Sequence, residues 1–147
     1  MSKLDRAIQI STKAHENQID KAGYPYILHP LRVMQNVLDQ TDNQDLAIVA
    51  VLHDLIEDSN YFIADVEIQF GREIAGLIYE LTKQKTESYD DYIDRLRYNE
   101  DLKRVKLADL ADNMSEKRLA LLDEPTRNRL RDKYQKAWDV LTKGNNA

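Results

Sequence analysis

Four ionisable residues, His53, Asp54, Glu57 and Asp58, follow directly on the apolar run Leu46-Ala47-Ile48-Val49-Ala50-Val51-Leu52. A helix that is apolar on every side belongs in the centre of a domain. Charges at the end of such a helix are costly unless they are paired. The arrangement calls for a compensating cation. On one helix, His53 and Asp54 point ~100° apart and can grip an ion from two sides. Glu57 lies four residues beyond His53 and Asp58 four beyond Asp54, so each pair stacks on one face. The acids then sit about one turn, ~5 Å, from the gripping pair, which suits orienting a water rather than ligating the ion. The plainer alternatives are a histidine closing a helix beside a surface acid, and two acids opening the next turn.

A second cluster is Val105-Lys106-Leu107-Ala108-Asp109-Leu110-Ala111-Asp112-Asn113. Asp109 and Asn113, four apart, share a helix face. The apolar residues around Asp109 bury that helix, so Asp109 is another carboxylate that needs a partner. His29 precedes Pro30, and proline suits the first position of a helix. His29 therefore stands at a helix mouth.

The elements that position these groups read as helices. Ser2 caps a helix over residues 3–17, with Leu4, Ala7, Ile8, Ser11 and Ala14 on one face. Gly23-Tyr24-Pro25 forces a loop. Helices follow over residues 30–39, from 44 through the apolar run, then 63–70, 72–83, 89–97, 101–122 and 125–143. Gly71 separates two of them. No stretch reads as a strand. Trp138, Tyr134, Leu130 and Leu141 form a core stripe, and the charged run of residues 87–97 reads as a solvated face. The expected fold is all-α, a single helical bundle of about six to eight helices spanning residues 1–147.

The bulk properties narrow the chemistry. The 147 residues suffice for one domain with a real core. Only four Gly and three Pro favour long helices over many turns. With no Cys, any metal is held by His, Asp or Glu. A net charge of −5 argues against broad nucleic-acid binding. No run approaches the ~20 apolar residues of a membrane span. The opening residues lack a signal-peptide core, which makes the cytoplasm the expected location. Oligomeric state is left open.

In order along the chain, Ala14-His15, Gln18, Gly23, Pro25-Tyr26-Ile27, His29-Pro30, His53-Asp54, Glu57-Asp58, Phe70-Gly71, Leu81-Thr82-Lys83, Lys106-Leu107-Ala108-Asp109 and Asn113 resemble a known family. It is the HD-class hydrolase domain of the RelA/SpoT alarmone enzymes, together with the small stand-alone alarmone hydrolases. One His-Asp dipeptide is weak evidence; the ordered set over about residues 5–120 is specific. The resemblance implies a metal-dependent phosphohydrolase that removes pyrophosphate from the 3′ position of ppGpp. It implies one manganese ion on His29, His53, Asp54 and Asp109, and a water activated by Glu57 and Asp58. Two imidazoles and two carboxylates agree with a hard, mixed site of that kind. It further points to Lys21, Asn113 and, on the last helix, Tyr134 as substrate-binding residues. His15 is either a core histidine or a support for the site.

The chain departs from the family at two places. An arginine that packs on the guanine base is replaced by Asp20, while the following Lys21 is kept. Ser115-Glu116 stand where the family often has Arg-Thr. A phosphohydrolase of another nucleotide therefore stays open, as does a metal-stabilised nucleotide sensor without turnover; the complete Glu57-Asp58 pair speaks against the sensor. Asp20 is expected to weaken ppGpp binding, and Asp20→Arg to improve it.

Overall fold

The computed structural model describes residues 1–143; residues 144–147, which the sequence reading includes in the domain, lie outside the described residues. The fold is all-α. Ten helical segments run in the order α1 (Lys3–Ala14), α2 (Leu28–Gln40), α3 (Gln44–Leu52), α4 (Leu55–Asp58), α5 (Ile63–Phe70), α6 (Arg72–Leu81), α7 (Tyr89–Leu96), α8 (Glu100–Asn113), α9 (Glu116–Leu119) and α10 (Glu124–Lys143). Two of these, α4 and α9, are single turns of four residues. Only an isolated bridge between Ile19 and Pro25 is extended pairing among the described residues.

The central helix is α3. Every residue from Leu46 to Leu52 is buried, as an apolar circumference requires. It packs against α1, α2, α6 and α8. Asn43 starts it by accepting the Leu46 N–H. Its burial carries the ends of three helices to one place: the first turn of α2, the end of α3 and the last turns of α8. No described helix is long and apolar enough to cross a membrane.

Four local expectations need correction. First, α2 starts at Leu28, so His29 lies inside its first turn. Pro30 is tolerated there because the first four N–H groups of a helix have no intrahelical acceptor. Second, the helix does not run unbroken from Gln44 to Asp58. His53 closes α3 and Asp54 opens α4 with φ −96° and ψ 0°, the sparsely populated bridge region where active-site residues recur. Third, residues 101–122 are not one helix. The chain turns at Met114-Ser115, and the Ser115 hydroxyl caps α9 by accepting the Arg118 N–H. That turn sends Arg118 back toward the end of α8. Fourth, the charged run of residues 87–97 is not wholly solvated. Arg95 bonds the Thr82 carbonyl and both oxygens of Glu87, and so fastens α7 to the end of α6.

Candidate functional site

His29 and His53 are buried, 3% and 6% exposed, and Asp109 is 5% exposed. The His29 Nε2 atom lies 2.8 Å from Asp109 Oδ1 and 3.8 Å from Asp54 Oδ2. The His53 Nε2 atom lies 3.2 Å from Asp54 Oδ2 and 3.4 Å from Asp109 Oδ1. Ligand atoms of His29, His53 and Asp109 all lie within 4.8 Å of one another. Asp54 is half-buried and faces both imidazoles. The structure thus brings together the four residues singled out from the sequence.

The far side of each ring shows how it is aimed. His53 Nδ1–H donates to the Ala50 carbonyl at 2.6 Å, which leaves Nε2 as the free donor atom. That Nε2 is buried and forms no hydrogen bond, although carboxylate oxygens flank it. His29 Nδ1 lies 2.6 Å from Asp112 Oδ2. Donor atoms around a first-row divalent ion at ~2.1 Å stand about 3–3.5 Å apart. The observed separations, the orphaned His53 nitrogen and the N/O donor chemistry all fit such an ion.

The charges are strongly coupled. Burial opposes protonation of His53, but Asp54 and Asp109 outweigh it and raise its pKa well above the usual histidine value. Burial also opposes protonation of His29, and hydrogen bonds to Asp109 and Asp112 again win, raising it. Burial favours the neutral form of Asp54, yet the His53 charge holds it down at about 2. Asp109 is held well below the carboxylate range against its burial, first by Lys106 and then by His53. Mutually stabilised cations and anions of this kind cluster at functional sites.

Tyr26, Lys106 and Arg118 support the site without a role assigned from the sequence, and Asn113, expected at the substrate, also touches a candidate ligand. Tyr26 donates its hydroxyl to Asp54 Oδ2 at 2.6 Å; burial and the Asp54 charge push its pKa up. Lys106 Nζ donates to Asp109 Oδ2 at 2.8 Å. Its position three residues before Asp109 was a legible signal, because such pairs meet on a helix. Asn113 donates to Asp109 Oδ1 at 3.2 Å and accepts from Arg118 at 3.0 Å. Asn113 is thereby a brace for Asp109. Nothing in the residue pattern indicated Arg118, since the turn before α9 was read as helix.

Three of the four, His29, Asp54 and Asp109, line a cavity of about 370 Å³, within the size range of small-molecule sites. Its walls include Lys21, Lys106, Arg118 and Lys133, with Tyr26, Tyr89 and Tyr134 between them. The substrate-binding candidates Lys21, Asn113 and Tyr134 all line it. Glu57 and Asp58 do not; both are exposed residues outside its lining. Glu57 accepts the Lys83 N–H at 3.0 Å, and the Asp58 carbonyl accepts from Gln18 at 2.8 Å. Burial of the carboxyl groups and the neighbouring Asp54 charge raise both pKa values. His15 is buried, with Nδ1 2.9 Å from Gln18 Oε1 and its ring against Tyr26.

Asp20 lines the cavity, but its carboxylate is engaged by its surroundings. Its Oδ1 accepts the N–H groups of Ala22 and Tyr24, both at 2.9 Å. Its Oδ2 faces Arg118 at 3.5 Å. The Asp20 carboxylate thereby shapes the loop, and its charge beside the cavity is partly offset by Arg118.

Comparison with known proteins places this geometry. A family model described as an HD domain matches residues 7–143. A guanosine-3′,5′-bis(diphosphate) 3′-pyrophosphohydrolase of Aquifex aeolicus is 29% identical over 116 residues, covering 76% of this chain and 17% of that protein. A probable enzyme of the same name from Mycoplasma pneumoniae is 30% identical over 129 residues, covering 76% of this chain and 18% of that protein. The chain thus spans less than a fifth of the length of these relatives. Among solved structures, a metazoan ortholog of SpoT that hydrolyses ppGpp superposes with a TM-score of 0.84 at 24% identity, covering 97% of this chain and 87% of that one; this likeness shows the shared fold. With the match spanning nearly the whole described chain and the fold agreeing, the chain belongs to the HD domain family.

Proposed function

We propose that this chain is a metal-dependent phosphohydrolase acting on ppGpp or a close nucleotide relative, releasing pyrophosphate from the ribose 3′ position. The supporting observation is the convergence of His29, His53, Asp54 and Asp109 beside a cavity walled by Lys21, Lys106, Arg118 and Lys133. Relatives bearing that activity by name share about 30% of their residues with this chain over the matching region. Residues 1–147 act as one hydrolase unit. The proposed setting is the cytoplasm, where free nucleotides are made and used.

In this reading His29, His53, Asp54 and Asp109 hold one divalent ion, manganese by the family resemblance, and the mixed imidazole and carboxylate donors suit manganese or a similar ion. When bound, such an ion lowers the pKa of water and offsets charge on a phosphoryl oxygen. Lys106 holds the outer oxygen of Asp109, and Tyr26 donates to Asp54 Oδ2, the oxygen that faces both imidazoles, so both carboxylates keep their orientation. Lys21 and Lys133 draw in the phosphates, and Tyr134 bounds the space left for the nucleoside. Glu57 and Asp58 accept the proton of the attacking water. Their raised pKa values suit that task, because a general base works best near the working pH. Water oxygen bonds to phosphorus as the bond to the ribose 3′ oxygen breaks, and the 3′ oxygen leaves as a hydroxyl after taking, through solvent, a proton equivalent to the one that the Glu57–Asp58 pair removed from the water.

A second reading, a different nucleotide substrate, is favoured by one observation: residue 20 is an acid committed to its own loop. The test is pyrophosphate and phosphate release by the purified protein with Mn²⁺ on ppGpp and on a panel of plain nucleotides. Release of pyrophosphate from ppGpp supports the first reading. Turnover of another nucleotide alone supports the second, and metal binding without any turnover supports a sensor.

A further inference from the structure

Two ligating histidines would normally be supported alike, yet here their outer nitrogens meet different acceptors. His53 Nδ1–H meets a neutral carbonyl, that of Ala50. His29 Nδ1 meets a carboxylate, Asp112 Oδ2, at 2.6 Å. That carboxylate is itself clamped. Arg32 Nε donates to its Oδ1 at 2.6 Å, and Arg118 Nη1 donates to its Oδ2 at 2.8 Å. The four residues come from three elements: His29 and Arg32 from α2, Asp112 from α8 and Arg118 from α9. Asp112 does not line the cavity of the four ligands. It meets the candidate metal ligands through His29.

We propose that Asp112 is a positioning residue for the metal. When an ion is bound, Asp112 keeps the His29 proton on Nδ1 and leaves Nε2, the atom that faces Asp54, Asp109 and His53, free to ligate, while Arg32 and Arg118 hold its carboxylate in place. This rests on the reading that His29 binds metal. A carboxylate behind a ligating imidazole sets its tautomer and orientation and raises its basicity as a ligand. One competing arrangement exists: Arg118 Nη1 lies 3.2 Å from His29 Nδ1 and could donate to it, putting the ring proton on Nε2. The distances disfavour it. The same Nη1 is closer to Asp112 Oδ2, at 2.8 Å, and to Asn113 Oδ1, at 3.0 Å. The carboxylate in turn is closer to the ring than Arg118 is.

The chain has only three histidines, so ring-nitrogen NMR can follow His29 directly. The full chain is loaded with Zn²⁺ as a diamagnetic probe, and Mn²⁺ affinity is measured in parallel by calorimetry. Wild type should show His29 protonated on Nδ1. Asp112→Ala should lower Mn²⁺ affinity by about 10–100-fold and lose the fixed Nδ1–H signal. Asp112→Asn keeps an acceptor oxygen and should restore part of both. If Asp112→Ala fails to fold, the Asn variant still decides: a fall in affinity with an upfield shift of the Nδ1–H proton supports the role. Unchanged affinity and an unchanged His29 spectrum in a folded variant overturn it, as does a wild-type ring protonated on Nε2. A wild type that binds no divalent metal overturns the metal reading itself, which keeps the two failures distinct.

Discussion

His29 Nε2 and Asp109 Oδ1 stand 2.8 Å apart although 80 residues separate them in sequence. The contact ties the first turn of α2 to α8, while His53 brings in the end of α3. An ion shared by these side chains would cross-link three helices and would bind the folded state alone. Stripping metal with a chelator is therefore expected to lower the melting temperature. At metal concentrations near 100 times Kd, the linkage is about 2.7 kcal/mol, or about 5–10 °C for a chain of this size. His53→Ala and Asp54→Ala should show the lower value from the start and no activity. An unchanged melting temperature after verified metal removal would count against the cross-link.

Acidity should oppose the metal. In metal-free protein the pKa values of His29 and His53 are raised above the ordinary histidine value. The stability these charged rings contribute is fully present below the unfolded histidine pKa, about 6.5. It is lost as pH rises through the higher folded values. Metal needs the unprotonated rings, so binding must release protons and tighten as pH rises. Mn²⁺ affinity at pH 8 is expected to exceed that at pH 6, and calorimetric heats should vary with the ionisation heat of the buffer. Equal affinity at both values would mean that the rings are neutral before metal arrives.

Glu57 and Asp58 are separable from the ligand set. Both are exposed and outside the cavity lining, and Glu57 is steered by the Lys83 N–H. Glu57→Gln and Asp58→Asn keep size and hydrogen bonding but cannot accept a proton at neutral pH. Each is expected to reduce kcat by about 10²–10⁴-fold with Mn²⁺ affinity within a few-fold of wild type. Loss of metal in either variant would make that residue a ligand.

The periodic helices were legible in the sequence because their faces are unmixed: α3 is apolar all round, and α5 and α7 begin where expected. The breaks were less legible. At His53-Asp54 and Met114-Ser115 the residues themselves tolerate helix, and tertiary contacts decide. The candidate quartet His29, His53, Asp54 and Asp109 could be named through motif order, since each member sits beside a strong local pattern. Asp112, Arg118 and Tyr26 could not be assigned roles, because their partners lie on other elements: Asp112 on His29, Arg118 on Asp20, Tyr26 on Asp54. Such pairings depend on how the helices assemble, and residue spacing carries no record of them.

Asp20 gives the sharpest contrast between the two levels. Read as a sequence, Asp20→Arg restores a base-stacking cation and improves ppGpp turnover. In the structure its carboxylate receives two backbone N–H groups of the loop and faces Arg118. An arginine cannot accept those bonds and would set two guanidinium groups against each other. The loop should lose about 1–2 kcal/mol and Lys21, the next residue, its position on the cavity wall. Asp20→Arg is therefore expected to lower both melting temperature and kcat/KM for ppGpp. Asp20→Asn retains an acceptor and should sit between it and wild type. Lys21→Ala should weaken every phosphate-bearing substrate while leaving the melting temperature near wild type. The measurement is kcat/KM on ppGpp and on a plain nucleotide, with thermal melts, for all four proteins. A gain on ppGpp for Asp20→Arg at an unchanged melting temperature would show that the loop can spare the carboxylate and that base stacking, not loop shape, limits this substrate.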